Sequence, residues 1–173
     1  KRWNRLGELQ IDAAERAAVA AAWLGGPAYP RERMFDTWTL ITRNQFHDNL
    51  PGTSHPKAYE YCWNDAVLAL NYAAGMIEAS VASLAEALDT QVTGLPVVVY
   101  NPLSIDREDL IEATLRVEQD EPPAGVRVIG PDGQAVPAQV LERGYRSLTV
   151  LFLARVPSVG LAVYDVQPVE EAF

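Results

Sequence analysis

Gln45-Phe46-His47-Asp48-Asn49-Leu50-Pro51-Gly52-Thr53 lies between two helical segments, and its reading decides what the first half of the chain is. Pro51-Gly52 cannot extend a helix, so the segment before it must end and the chain must turn. A turn that tight at a helix end fixes where His47 and Asp48 point. The surrounding sequence reads as scaffold for that corner.

Upstream, the pattern is helical from Asn4 to about Leu24. Leu9, Ala13, Ala17, Ala20 and Leu24 recur at three- and four-residue steps. Alanine dominates this stretch, which predicts close packing against other helices. Gly25-Gly26-Pro27 ends it, because glycine permits a left-handed cap and proline cannot continue. Pro30 is expected at the first position of a second helix, with Glu32 at the positive end of its dipole. Met34, Trp38, Ile41 and Gln45 share a stripe there, flanked by Phe35 and Thr42, which reads as core. That helix should run out near His47.

Downstream, Ser54 or His55 caps a third helix with Pro56 in its first turn. It is expected to run to about Leu88, through Cys62, Ala69 and Met76, with Leu68, Tyr72, Ser80, Leu84 and Leu88 on the same face. Such a length suits the long member of an antiparallel bundle.

At Thr90-Gln91-Val92-Thr93-Gly94-Leu95-Pro96 alanine gives way to valine, proline and turn residues. The domain boundary is placed here, with a three-helix bundle over 1–92 and a β domain over 93–173. Val97 to Asn101 reads as a short strand. Ile111, Ala113, Leu115 and Val117 alternate with polar neighbours, the mark of a half-buried strand. Val126–Ile129 and Val136–Leu141 flank Gly130-Pro131-Asp132-Gly133, a strong hairpin turn. Leu148–Val156 and Leu161–Val166 are two more strands. The fold class is therefore α+β, a helical bundle followed by an antiparallel, sandwich-like domain of about six strands. Glu170-Glu171 reads as a solvated acidic end.

Composition narrows the function. The chain has 173 residues, 49% hydrophobic and 21% charged, with a formal net charge of -9. That charge disfavours nucleic acid and anionic membrane surfaces. No apolar run is expected to reach the ~20 residues of a membrane span. The single cysteine, Cys62, excludes an intrachain disulfide and reads as a small buried hydrophobe. The chain begins at Lys1, without Met and inside a helical pattern, as expected of a piece of something longer.

The chemistry-bearing residues are few. The two histidines, His47 and His55, are eight apart across the Pro-Gly turn. His47, Asp48 and His55 are of types that bind zinc. Equally, an imidazole suits a helix end and Asp48 can cap a turn, while His55 beside Pro56 belongs to helix entry. A small independent hydrolase built on His47 and His55 is a further reading. No GxSxG element or Gly-rich phosphate loop is present. Asp36, Asp48 and Asp65 are candidate carboxylates for glycoside chemistry, with solvated charge as the default. Trp38, Tyr61 and Trp63 could stack on a sugar, but their helical spacing points to core.

The turn resembles the QFHD-x-L-PG-S/T signature of glycoside hydrolase family 38, the zinc-dependent α-mannosidases. Glu8 to Pro30, and Trp38 before the motif, are similar to the family's segment entering its middle domain. Val98-Val99-Tyr100-Asn101-Pro102-Leu103-Ser104 with Arg107, Asp132 to Gln139, and Val156 to Tyr164 are similar to its β region. The resemblance implies the middle three-helix domain plus the start of the C-terminal β region of a retaining α-mannosidase, acting on mannose-containing glycans. It implies that His47 is one zinc ligand and that Asp48 contacts sugar hydroxyls. The remaining ligands, a His and two Asp, would lie in an N-terminal catalytic domain of the same parent chain. So would the nucleophile, which is one of those Asp residues, and the acid/base; no catalytic residue is assigned here. Phe46 stands where many members carry His and is common in the bacterial-type branch, which implies a cytoplasmic protein. The fragment alone is expected to retain little or no Zn²⁺ and to be inactive. The alternative is a stand-alone interaction module whose turn is purely structural. A missing partner domain also predicts an exposed apolar patch near residues 44–56.

Overall fold

The computed structural model describes residues 1–170, in two compact units that divide between Leu88 and Asp89. The first holds three helices, α1 (Arg2–Trp23), α2 (Arg31–Asn44) and α3 (Pro56–Glu86). Alanine lets α1 pack closely: Ala13, Ala14, Ala17, Ala18 and Ala21 are all buried. The buried stripe is rotated from the expected one, since Ile11 sits in the core while Leu9 and Leu24 are exposed. In so alanine-rich a helix several faces satisfy the same spacing, and the two leucines do not decide between them. Gly25 ends α1 at φ +88, the left-handed region, and the Gly26 N–H donates back to the Ala21 carbonyl at 2.8 Å.

Pro30 is the N-cap of α2 rather than its first residue. Glu32 in the first turn and Arg43 in the last complement the dipole. Met34, Thr37, Ile41 and Asn44 face inward, and Trp38 packs against the core beside them. Phe35, expected next to that stripe, is exposed. The helix stops at Asn44, short of His47.

The long third helix is present, at 31 residues. His55 is its N-cap, and its Nδ1 accepts the Lys57 N–H at 3.3 Å. Ala69, Ala73 and Met76 meet Ile11, Ala14, Met34 and Ile41 to form the bundle core. Cys62 is half-buried rather than buried. A second expectation is corrected on this helix. Tyr61 and Trp63 are 64% and 60% exposed, because they fall off the face that carries Ala66, Ala69 and Ala73. By length and composition α3 could also cross a membrane. Its polar residues are spaced widely enough to leave an apolar average, although no uninterrupted apolar run exists.

Among the described residues the second unit has seven strands: β1 (Leu95–Asn101), β2 (Arg107–Arg116), β3 (Gly125–Ile129), β4 (Ala135–Val136), β5 (Ala138–Gly144), β6 (Ser147–Val156) and β7 (Gly160–Val169). One sheet runs β1-β7-β3-β4 and the other β2-β6-β5, with every pairing antiparallel. The expected strand over Val136–Leu141 is two strands in different sheets. Pro137 separates them, since it has no N–H to continue a ladder. The Gly130–Gly133 hairpin forms as expected, with Val128 opposite Val136. The alternating side chains of β6, Leu148, Val150, Phe152, Ala154 and Val156, form one core with Val128, Tyr164 and Val166 of the other sheet. Glu170 is exposed; Glu171 lies outside the described residues.

Asn101 ends β1 and builds the following corner. Its side chain is buried and donates to the carbonyls of Ile105, Pro157 and Val156 at 2.8, 3.0 and 3.3 Å. Its Oδ1 accepts the Leu103 N–H at 3.1 Å. The Asn-Pro-Leu-Ser stretch is thus a structural corner, held by this amide and by the Val159 N–H donating to the Leu103 carbonyl at 2.8 Å.

Candidate functional site

The corner between α2 and α3 is fastened at its root. Asn44, the last residue of α2, donates from Nδ2 to the Cys62 carbonyl on α3 at 2.9 Å. Its own carbonyl accepts Asn4 Nδ2 from α1 at 3.2 Å. Gln45 then donates to Glu8 of α1 at 2.7 Å. Arg43 pairs with Asp65 of α3 at 3.4 Å. The helix end therefore grips both neighbours before the turn begins.

Within the turn the backbone closes on itself. The N–H groups of Asn49 and Leu50 donate to the Phe46 carbonyl at 2.9 and 3.0 Å. The Asp48 carbonyl accepts the N–H groups of Thr53 and Ser54 at 3.0 and 2.9 Å. Gly52 reverses the chain at φ +102, a conformation that residues with a Cβ rarely adopt. Ser54 Oγ donates to Asn49 Oδ1 at 2.6 Å.

His47 and Asp48 project from this closed turn. His47 Nε2 lies 3.6 Å from Asp48 Oδ2, and the side chains are 77% and 52% exposed. The Phe46 ring sits beside the imidazole, centroids 4.1 Å apart and tilted 46°. Besides His47, the Asp48 carboxylate has a long contact with Thr53 Oγ1 at 3.5 Å. Thus the turn is bonded through the Phe46 and Asp48 carbonyls on either side of His47, while the side-chain nitrogen and oxygen atoms of the pair remain exposed. Phe46 and Leu50 are exposed around it, two apolar side chains within the stretch where a patch is expected. A cleft of about 80 Å³ borders the turn, lined by Trp3, Asn4, Asn44, Asn49, Tyr59 and Trp63 among others. Larger cavities, of about 540 and 360 Å³, occur elsewhere in the two units and include neither His47 nor Asp48.

The other sequence candidates do not join the pair. The His55 Nδ1 is engaged in capping α3, and no group of three or more His, Cys, Asp or Glu side chains could hold a metal ion among the described residues. Asp65 is engaged by Arg43, and Asp36 is exposed on α2. Sequence reasoning missed two residues that shape the corner. Asn44 was detectable as a polar side chain in register with Met34, Thr37 and Ile41. Tyr59 was not, because its partners lie across the turn.

Residues 1–84 match the family model of the alpha mannosidase middle domain. Among solved structures, an alpha-mannosidase from Enterococcus faecalis V583 superposes with a TM-score of 0.75 at 18% identity, over 99% of this chain. A glycosyl hydrolase family 38 protein from Enterococcus faecalis does so with a TM-score of 0.76 at 20% identity, also over 99%. The chain spans 24% of the length of each. At these identities the likeness speaks to the fold. No curated protein matches the chain.

Proposed function

From a helical unit that matches the alpha mannosidase middle domain, we propose that this chain is the middle domain and first β segment of a zinc-dependent retaining α-mannosidase. In this reading His47 supplies one zinc ligand and Asp48 contacts hydroxyls of the terminal mannose. The observation that carries it is the contrast at the corner: a turn closed through the Phe46 and Asp48 carbonyls, presenting two exposed metal- and sugar-type donors 3.6 Å apart. A site that must meet its ligand without rearrangement is built this way.

An imidazole and a carboxylate are both donors that zinc accepts, but structural and catalytic zinc sites take at least three protein ligands. The pair fits as part of a set completed by a preceding catalytic domain of the same parent. Bound there, zinc would supply positive charge to orient the sugar hydroxyls and stabilise the transition state. The chain's own contribution is to hold the His47 nitrogen and the Asp48 oxygens at fixed positions on the rim of that site. The exposed Phe46 and Leu50 side chains then form part of the contact with the catalytic domain.

The test uses the longer parent chain. His47→Ala is expected to lower the bound zinc per chain and abolish hydrolysis of an aryl α-mannoside. Asp48→Ala is expected to keep zinc and lower kcat/KM by about 100-fold, the scale of losing one positioned polar contact in a closed site. Full zinc and full activity in both variants would overturn the reading.

A further inference from the structure

We propose that the Tyr59 hydroxyl is a positioning residue for the His47–Asp48 pair, a latch from α3 onto the turn; this rests on the zinc and sugar roles read for the pair above. The Asp48 carbonyl is the hub of the turn. It accepts the Thr53 and Ser54 N–H groups and Thr53 Oγ1 at 3.3 Å. Those donors all belong to the turn, so they would move with it. The Tyr59 hydroxyl instead belongs to α3, one turn in from its N-terminus. It donates to the Asp48 carbonyl at 3.3 Å and accepts the Ser54 N–H at 3.1 Å.

Among the described residues it is this phenol that joins the Asp48 backbone to the third helix by a hydrogen bond. Its donor and an acceptor lone pair are both used, one on each side of the Asp48–Ser54 closure. The phenol therefore sets the height of the Asp48 peptide over α3, and with it the starting point of both exposed side chains. Small displacements matter for such groups: a misplacement of about 1 Å can cost on the order of 100-fold in rate. The ring also lines the small cleft with Trp3 and Trp63, so a packing role must be separated from the latch. Tyr59→Phe does this, because it keeps the ring and removes only the hydroxyl.

Two measurements decide it. In the chain itself, residue-resolved amide exchange of Tyr59→Phe should show Ser54 exchanging about fivefold faster, the factor for one hydrogen bond. Ala69 and Ala73, inside α3, should be unchanged. In the longer parent, Tyr59→Phe should lower kcat on an aryl α-mannoside about tenfold, with KM within about twofold and the melting temperature unchanged. A packing role predicts the reverse, with normal kcat for Tyr59→Phe and a lowered melting temperature only for Tyr59→Ala. Unchanged Ser54 exchange, or unchanged kcat in an active parent, overturns the proposal. A wild-type parent inactive on α-mannosides would overturn the mannosidase reading instead, and the Ser54 exchange would still decide the latch.

Discussion

Asn44 and Cys62 are joined across the bundle, the Asn44 amide donating to the Cys62 carbonyl at 2.9 Å. The bond ties the last residue of α2 to the second turn of α3, and the functional corner hangs between them. An amide at 6% exposure with a directed partner fixes one arrangement, where an apolar side chain would allow the helices to slide.

Asn44→Ala is therefore expected to cost about 1–2 kcal/mol, the net loss of a half-buried hydrogen bond together with its packing. For a unit of this size that corresponds to a fall in melting temperature of about 4–8 °C per kcal/mol. Circular dichroism at the helix band reads it directly. An unchanged melt would mean that the corner does not depend on this bond.

Asn101 plays the corresponding part in the β unit, and two substitutions separate its donors from its acceptor. At 2% exposure, its amide faces three carbonyl oxygens. Asn101→Ala leaves those oxygens and the Leu103 N–H without their partner and is expected to cost about 2–3 kcal/mol. Asn101→Asp keeps the acceptor but turns a carboxylate towards the three carbonyls. It is expected to be the worse of the two at neutral pH and to recover in acid as the carboxyl protonates. Urea midpoints at pH 7 and pH 4 check the order.

The legible features were those that local chemistry dictates. Gly25, His55-Pro56 and Gly130–Gly133 mark their ends and turns by steric and capping rules, and each does so in the structure. Alternation at Ile111–Leu115 gave the inward face of β2 correctly. The failures came where spacing permits more than one answer. The alanines of α1 fit several faces, so the inward one was decided by Ile11 meeting Met34 and Ile41. The helical spacing of Tyr61 and Trp63 points to core, yet they face outward. The split at Pro137 depended on which sheet each half joined, a long-range choice. His47 and Asp48 stood out through a motif, whereas Tyr59 acts through contacts that only the folded turn creates.

Zinc binding by the chain alone tests the partial-set reading from the other side. Two exposed donors, with no third His, Cys, Asp or Glu grouped with them among the described residues, leave zinc short of its usual complement. Calorimetric titration of the 173-residue chain is expected to show no saturable zinc binding, and His47→Ala should leave the trace unchanged. Tight stoichiometric binding lost in His47→Ala would mean that the chain completes its own site.

Tyr164 gives the β unit a pH dependence whose sign follows from its surroundings. Strand β5 accompanies β6 as far as the Pro137 carbonyl, which accepts the Leu153 N–H at 3.0 Å. Beyond that point the Tyr164 hydroxyl replaces the missing strand, accepting the Arg155 N–H at 2.7 Å and donating to the Arg155 carbonyl at 2.9 Å. The side chain is 1% exposed, and this burial raises its pKa above the ordinary 10.0, although the Arg155 N–H bond works the other way. A phenol with a raised folded-state value keeps its proton in the native chain after the unfolded chain has lost it. Its stabilising contribution is complete below pH 10.0, the unfolded value, and is lost as pH rises through the higher native value. Tyr164→Phe is expected to be less stable by about 1–2 kcal/mol at neutral pH, since both Arg155 backbone groups lose their partner. Above pH 10.0 the gap between wild type and variant should narrow, because only the wild type carries this ionisation. Denaturant melts from pH 7 to pH 11 measure that gap, and one that stays constant would show that the phenol does not resist deprotonation in the fold.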